Sequence, residues 1–154
     1  MKQIARLMVR YNSYMKTIST CPFCEAKERV LKHNDLAQVI LSNPHKVPGH
    51  FLVVPKRHVE QPWDLTNDEL KAIFDLIFFV EQRLLTAKLG TGVDIRQNYR
   101  PFMKQTNLKV DHVHFHVYPR SLEDYLYKVS EKFETDLFAD LDEAEAAAVA
   151  KILK

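Results

Sequence analysis

The sequence predicts an α+β domain: an antiparallel sheet with one long helix. Three observations carry that prediction. Short apolar strands follow one another through short loops, at Glu28–Lys32, Ala37–Leu41 and Phe51–Pro55. A strong helical signal begins after Leu65, and a run of alternating histidines beyond it has the two-residue period of a strand. Taken in order, Ile4, Leu7, Met8, Tyr11 and Met15 give an amphipathic helix over residues 3–17, before a turn at Cys21-Pro22-Phe23-Cys24. After the three strands, Thr66 and Glu69 have capping-box spacing. Leu70, Ile73, Phe74, Ile77, Leu84 and Leu85 mark the apolar stripe of the long helix, and Gly90 can end it. Trp63 is expected to pack at the start of that helix, and Phe78 and Phe79 in the core. A strand over Asp94–Tyr99 leads through a proline-containing loop to the histidine strand. The tail reads as helical, with Asp140 or Asp142 capping a run of Glu and Ala.

Composition excludes some classes. The chain has 154 residues, enough for one domain with a real core. Its 22 basic and 20 acidic side chains leave a net charge of +2, too balanced to require nucleic acid or a membrane surface as partner. Basic residues before Glu25 and acidic ones between Glu131 and Glu145 read as solvated faces of terminal helices. The longest apolar stretch, Ala72 to Val80, is interrupted by Asp75 and too short to span a bilayer. The N-terminus lacks the continuous apolar core of a secretory signal, so the expected compartment is the cytoplasm.

The run Asp111-His112-Val113-His114-Phe115-His116-Val117 carries the chemistry. On a strand, His112, His114 and His116 share one face and Val113, Phe115 and Val117 fill the other, buried one. Three imidazoles merely satisfied on a half-exposed strand is the bland reading, and the repeat weighs against it. One metal held by all three is opposed by geometry: the outer two sit about 13 Å apart along the backbone, whereas zinc needs nitrogens at about 2.0–2.1 Å. At least one imidazole is then free for chemistry. Neutral imidazole is a competent nucleophile toward phosphorus, and flanking histidines can donate to phosphoryl oxygens. The two cysteines, Cys21 and Cys24, are too few for a disulfide framework. They fit a redox pair, half a metal site or plain thiols, and the basic segment before them speaks against a thioredoxin-like pair. His33 and His45 have no motif context.

His112-Val113-His114-Phe115-His116-Val117-Tyr118 resembles the signature of the histidine triad (HIT) superfamily. Cys21-Pro22-Phe23-Cys24 is similar to the cysteine pair of many bacterial members. The stretch Pro48-Gly49-His50 through Pro55-Lys56-Arg57-His58 and the pair Pro119-Arg120 fit as well. The resemblance spans about residues 21 to 120, leaving residues 121–154 as a helical extension of a single domain. It implies a HIT-like fold: a five-stranded antiparallel sheet with a long central helix, often paired into a homodimer. It also implies a nucleotide hydrolase acting at the α-phosphate of a dinucleoside polyphosphate or nucleoside phosphoramidate. His114 would be the nucleophile that forms a nucleotidyl-histidine intermediate, His116 would bond the phosphate, and His50 would complete the pocket. Cys21, Cys24, His58 and His112 would hold a structural zinc, and Asn43 would hold the ribose. A nucleotidyl transferase or phosphorylase sharing the nucleophile, or a nucleotide-binding regulatory protein without turnover, are the rival readings.

One departure from the family is clear. Members commonly carry glycines in the loop before the triad, and this chain has none after Gly92. Asn98 matches the family asparagine, Gln105 and Thr106 match only loosely, and the resemblance implies Asn98 and Gln105 as substrate-binding residues. Arg100 and Lys104 are expected to contact phosphate through charge in place of glycine amides; solvated loop cations are the alternative.

Overall fold

The computed structural model describes residues 20–106, 108–131 and 142–153. The helix expected over residues 3–17 and a cap at Asp140 lie outside the described residues. Two compact units divide after Ser121.

The first unit is built on five strands: β1 (Val30–His33), β2 (Ala37–Leu41), β3 (Phe51–Pro55), β4 (Gly92–Gln97) and β5 (Phe115–Arg120). Their spatial order is β1-β2-β3-β5-β4 and every neighbouring pair is antiparallel. Asn34 makes the tight β1–β2 turn. Its Oδ1 accepts from the N–H groups of Leu36 (3.1 Å) and Ala37 (2.8 Å), and its Nδ2 donates to the Ala72 carbonyl (2.8 Å), tying the turn to the long helix. That helix, α1 (Asn67–Thr86), crosses one face of the sheet. Ile73, Ile77, Val80 and Leu84 bury against Val39, Val53, Val113, Phe115 and Val117. The opposite face has its own core of Phe23, Ala26, Ile40, Leu52, Val54 and Val110. Alternation along β3 and β5 therefore divides two buried faces, where the sequence marked only the face of Val113, Phe115 and Val117 as buried.

The ends of α1 show local chemistry at work. Thr66 and Glu69 form the expected capping box: the Thr66 hydroxyl accepts from the Glu69 N–H (3.2 Å) and the Glu69 carboxylate accepts from the Thr66 N–H (2.9 Å). The same carboxylate takes both Arg57 nitrogens at 2.8 Å. The guanidinium holds the carboxyl down to about 2 and fastens the end of β3 to the helix start. At the other end the sequence suggested Gly90 as the stop. The helix ends earlier instead, with Lys88 in the left-handed conformation (φ 57°). Leu89 N–H bonds Leu84 O and Lys88 N–H bonds Leu85 O, the paired closure of a Schellman turn. Gly90 serves a different need: a Cβ there would lie 2.7 Å from the Arg120 carbonyl.

Other expectations shift. The first strand begins at Val30, after a 3-10 turn over Lys27–Arg29, and β4 begins at Gly92 and ends at Gln97. Trp63 is 66% exposed, not packed, and its ring meets Tyr99 edge-on. Phe78 is exposed, while Phe79 lies partly buried between Lys32 and Arg83. Within the second unit, α2 (Tyr125–Val129) and α3 (Glu143–Ala150) each start at an aspartate whose carboxylate accepts a backbone N–H, Asp124 from Tyr127 and Asp142 from Glu145. No helix among the described residues is long and apolar enough to cross a membrane.

Thr66→Ala should lower stability by about 1 kcal/mol in denaturant unfolding, because one helix-terminal N–H loses its acceptor. Thr66→Ser should retain most of it.

Candidate active site and metal centre

The histidine run does not form one straight strand. Ladder pairing between β3 and β5 covers Phe51↔Val117, Leu52↔His116 and Val53↔Phe115 and then stops. Beyond it, Val113 N–H bonds the Val59 carbonyl (2.6 Å) and the Pro55 carbonyl faces the His112 Nε2 (3.1 Å). His112, at a bend, and His114 thus lie in the segment leading into β5, and only His116 lies on the strand proper. In this segment the His112 side chain stands against the cysteine turn.

Cys21, Cys24, His58 and His112 come together there. Their donor atoms all lie within 4.8 Å of one another. Cys21 Sγ is 3.3 Å from His112 Nδ1, and Cys24 Sγ is 3.4 Å from His58 Nδ1 and 3.7 Å from His112 Nδ1. Tetrahedral coordination with metal–sulfur bonds of about 2.3 Å and metal–nitrogen bonds of about 2.0–2.1 Å places S and N about 3.5 Å apart. The four residues fit such an ion and could hold a metal. The outer imidazole nitrogens are already oriented, His112 Nε2 by the Pro55 carbonyl and His58 Nε2 by the Glu60 carboxylate at 3.4 Å. Burial and the neighbouring Cys21 push the Cys24 thiol up to about 11.

The turn that bears the two cysteines also delivers Phe23. Its ring meets His112 at 5.9 Å and His114 at 5.1 Å, edge-on in both cases. Gln38 Nε2 donates to the Phe23 carbonyl (3.2 Å) and Arg29 to the Pro22 carbonyl (3.0 Å), which holds the turn over the histidines. His112 and His114 are consequently almost fully buried.

The remaining imidazoles form a second cluster. His114 Nδ1 is 2.7 Å from the His112 carbonyl, so that nitrogen carries the proton and Nε2 keeps a bare lone pair. His50 Nδ1 accepts from the Lys46 N–H (3.1 Å). Its Nε2 is then the protonated one and donates to His116 Nδ1 (2.9 Å), which leaves His116 Nε2–H as a donor. The rings of His114 and His116 lie 4.9 Å apart. Gly49, at φ 80°, makes the bend before His50; a Cβ there would press on Leu84 and Pro119. Burial lowers every member of this cluster. His50 falls to about 4, helped by the charges of Lys46, His45 and His114. His116 falls to about 2, helped by His114, His50, Lys46 and Arg96. His114 is lowered by burial, against which its bond to the His112 carbonyl works. All three are neutral at physiological pH.

Two cavities meet at this cluster, and His114, His116, Leu108 and Val110 line both. One, of about 290 Å³, is lined by Phe23, Asn43, Lys46, His50 and Leu52. The other, of about 320 Å³, is lined by Asn98, Tyr99, Arg100, Lys104 and Gln105 together with Glu60 and Gln61. Asn43 thus lines one cavity, and Asn98, Arg100, Lys104 and Gln105 line the other. Gln105 and Thr106 also shape their own loop. Gln105 Oε1 accepts from the Asp111 N–H (3.0 Å), and the buried Thr106 hydroxyl accepts from Leu108 (3.1 Å) and Lys109 (3.2 Å).

Phe23, Lys46 and Arg96 are site residues that the sequence reading did not single out. Arg96 stands opposite His116 in the β4–β5 register, which motif inspection cannot supply. His45, set aside for want of a motif, lines the smaller cavity. Phe23 had a usable signal, being an aromatic residue inside the Cys-Pro-Phe-Cys turn.

Fold and site together define an α+β protein with a buried neutral imidazole cluster beside a four-donor metal set. The chain belongs to the HIT domain family, whose family model matches residues 24–123. Over 112 residues it is 29% identical to an adenosine 5′-monophosphoramidase of Schizosaccharomyces pombe, covering 69% of this chain and 78% of that one. It is 33% identical over 104 residues to an asymmetrical bis(5′-nucleosyl)-tetraphosphatase of the same yeast, covering 59% of this chain and 51% of that one. Among solved structures, a HIT family member from Bacillus subtilis superposes with a TM-score of 0.66 at 18% identity, covering 88% of this chain and 95% of that one. A zinc-bound histidine triad protein from Mycobacterium smegmatis superposes at 0.60 with 23% identity, covering 70% and 79%. The sheet, its strand order and the central helix agree with the fold the resemblance implied.

A base whose folded-state pKa lies below its unfolded value holds its proton more tightly when unfolded. The contribution of His50 is therefore full above pH 6.5 and is lost as pH falls toward about 4. Unfolding measured across that interval should show stability declining on acidification, and His50→Gln should flatten the decline. The acid limb of kcat/KM should fall below pH 6.5, because His114 is lowered from that value.

Proposed function

We propose that the protein hydrolyses nucleotide conjugates at the α-phosphorus, with His114 Nε2 as nucleophile. One observation carries this reading: the His114 Nδ1 contact of 2.7 Å to the His112 carbonyl, which leaves Nε2 unprotonated where two cavities meet. The imidazole attacks phosphorus, a P–N bond forms and the bond to the leaving group breaks. Water then attacks the same phosphorus, the P–N bond breaks and a nucleoside monophosphate departs. His116 Nε2–H donates to the phosphoryl oxygens, where charge builds. His50 acts one step back as a positioning residue, since its Nε2–H fixes the tautomer of His116. Lys46 and Arg96 add positive potential on the same side. The nucleoside occupies the smaller cavity, against Phe23 and Leu52 with Asn43 toward the ribose. Arg100 and Lys104 face the phosphates from the larger one. The activities named for the two yeast relatives, both cleavages of nucleotide conjugates, support this reaction class.

Cys21, Cys24, His58 and His112 hold a zinc ion in this reading. Four protein donors close the coordination shell, so the ion is structural and fixes the cysteine turn against the histidine segment. Reduced thiols as ligands suit a cytoplasmic protein. A homodimer completes the proposal. The edge strand β4 presents an exposed Ile95, and α1 presents exposed Phe74 and Phe78.

His114→Ala should abolish turnover of dinucleoside polyphosphates and nucleoside phosphoramidates while leaving the melting temperature and nucleotide binding nearly unchanged. Substantial activity in that variant would remove His114 as nucleophile. Metal analysis of protein purified without added zinc should find one equivalent, and a chelator should lower the melting temperature. Cys24→Ser should do the same. Unchanged melting and no bound metal would leave the cysteines as thiols.

A further inference from the structure

The larger cavity carries more than phosphate chemistry requires. Its acidic residues are committed: Glu60 to His58, and Asp111 to Lys109. Arg100 and Lys104 are exposed cations on its wall. Tyr99, which also lines it, is 41% exposed, with Trp63 edge-on at 4.9 Å and an interplanar angle of 71°. Trp63 comes from the 3-10 turn Pro62–Asp64 and Tyr99 from the segment after β4. The two meet only in the folded chain, and neither belongs to a buried core cluster. Two large rings brought together yet left facing water read as a binding surface.

We propose that Trp63 and Tyr99 form a stacking shelf for the leaving group, and that this leaving group is a second nucleotide joined through a phosphate bridge. The inference rests on the nucleophile assignment above and deepens it. With the first nucleoside in the smaller cavity, the departing group exits through the larger one. Its wall carries two cations, Arg100 and Lys104, and the ring of Tyr99, which Trp63 backs edge-on. A nucleoside polyphosphate has both matching features, anionic phosphates and a planar base. The amine released from a phosphoramidate has neither. In the reaction, the bond from the α-phosphorus to the bridging oxygen breaks, and that oxygen leaves with the nucleoside polyphosphate. Water supplies a hydroxyl to the nucleotide and a proton to solvent.

The test compares diadenosine tetraphosphate, adenosine tetraphosphate and adenosine 5′-monophosphoramidate, which share one nucleotide and differ in what leaves. In the double variant Trp63→Ala, Tyr99→Leu, kcat/KM for diadenosine tetraphosphate should fall roughly tenfold, from loss of base–aromatic stacking. The other two substrates should be unaffected, and Trp63→Phe with Tyr99→Phe should retain the wild-type preference. An equal loss on all three substrates would mark the rings as structural and overturn the shelf. So would an unchanged rate on diadenosine tetraphosphate, or a wild-type preference for the phosphoramidate. Failure of the wild-type protein to turn over any of the three would overturn the reading of the site itself, and the shelf with it.

Discussion

The hydrogen bond between His114 Nδ1–H and the His112 carbonyl is the contact on which the site depends. It joins two functions in one residue. The His112 side chain stands with Cys21, Cys24 and His58, while its backbone oxygen sets the tautomer of the next imidazole but one. A shift of His112 would reach His114 through a single peptide unit. The donor set, the Pro55 carbonyl and the Val113–Val59 backbone bond all hold that unit in place. The metal-type cluster and the imidazole cluster are mechanically one structure, although no donor atom is shared between them.

Burial explains the rest of the chemistry. Imidazoles at this depth are costly to protonate, and the surrounding cations make it costlier. Neutral rings must then be satisfied by hydrogen bonds, and the chain Lys46 N–H to His50 to His116 does this while leaving one donor at its end. Phe23 provides much of the cover and is itself positioned by the flanking cysteines. The same turn thus excludes water from His114 and brings sulfur to His112.

The loop before the triad carries no glycine and is held by its own side chains. Thr106 and Gln105 spend hydrogen bonds on turning the chain, so the loop is stiffened by its own side chains. Arg100 and Lys104 project from it along the larger cavity, beside Tyr99. His114 and His116 line two cavities, one with Phe23, Leu52 and Lys46, the other with Tyr99, Arg100 and Lys104.

Much of this was written in local sequence. Short apolar runs marked β2 and β3 to their final residues, and Thr66-x-x-Glu69 marked the helix start, because both signals act between near neighbours. The Cys-Pro-Phe-Cys turn, the Pro-Lys-Arg-His stretch and the histidine repeat named the residues that the fold gathers. Only the tertiary structure decided what those residues face. Gly90 looked like a helix stop, but a Schellman turn on Lys88 ends the helix and the glycine answers to the Arg120 backbone instead. The histidine repeat looked like a strand with an open face, but pairing with β3 ends at Phe115 and a second core covers that face. Arg96 beside His116, Phe23 over His114 and Trp63 against Tyr99 depend on strand register and on chain segments far apart in sequence. The sequence by itself determined which elements form and which side chains carry reactive atoms, because propensity, capping and alternation are short-range. Tautomer, protonation and the division of the site into two cavities arose only when distant segments removed water and supplied partners.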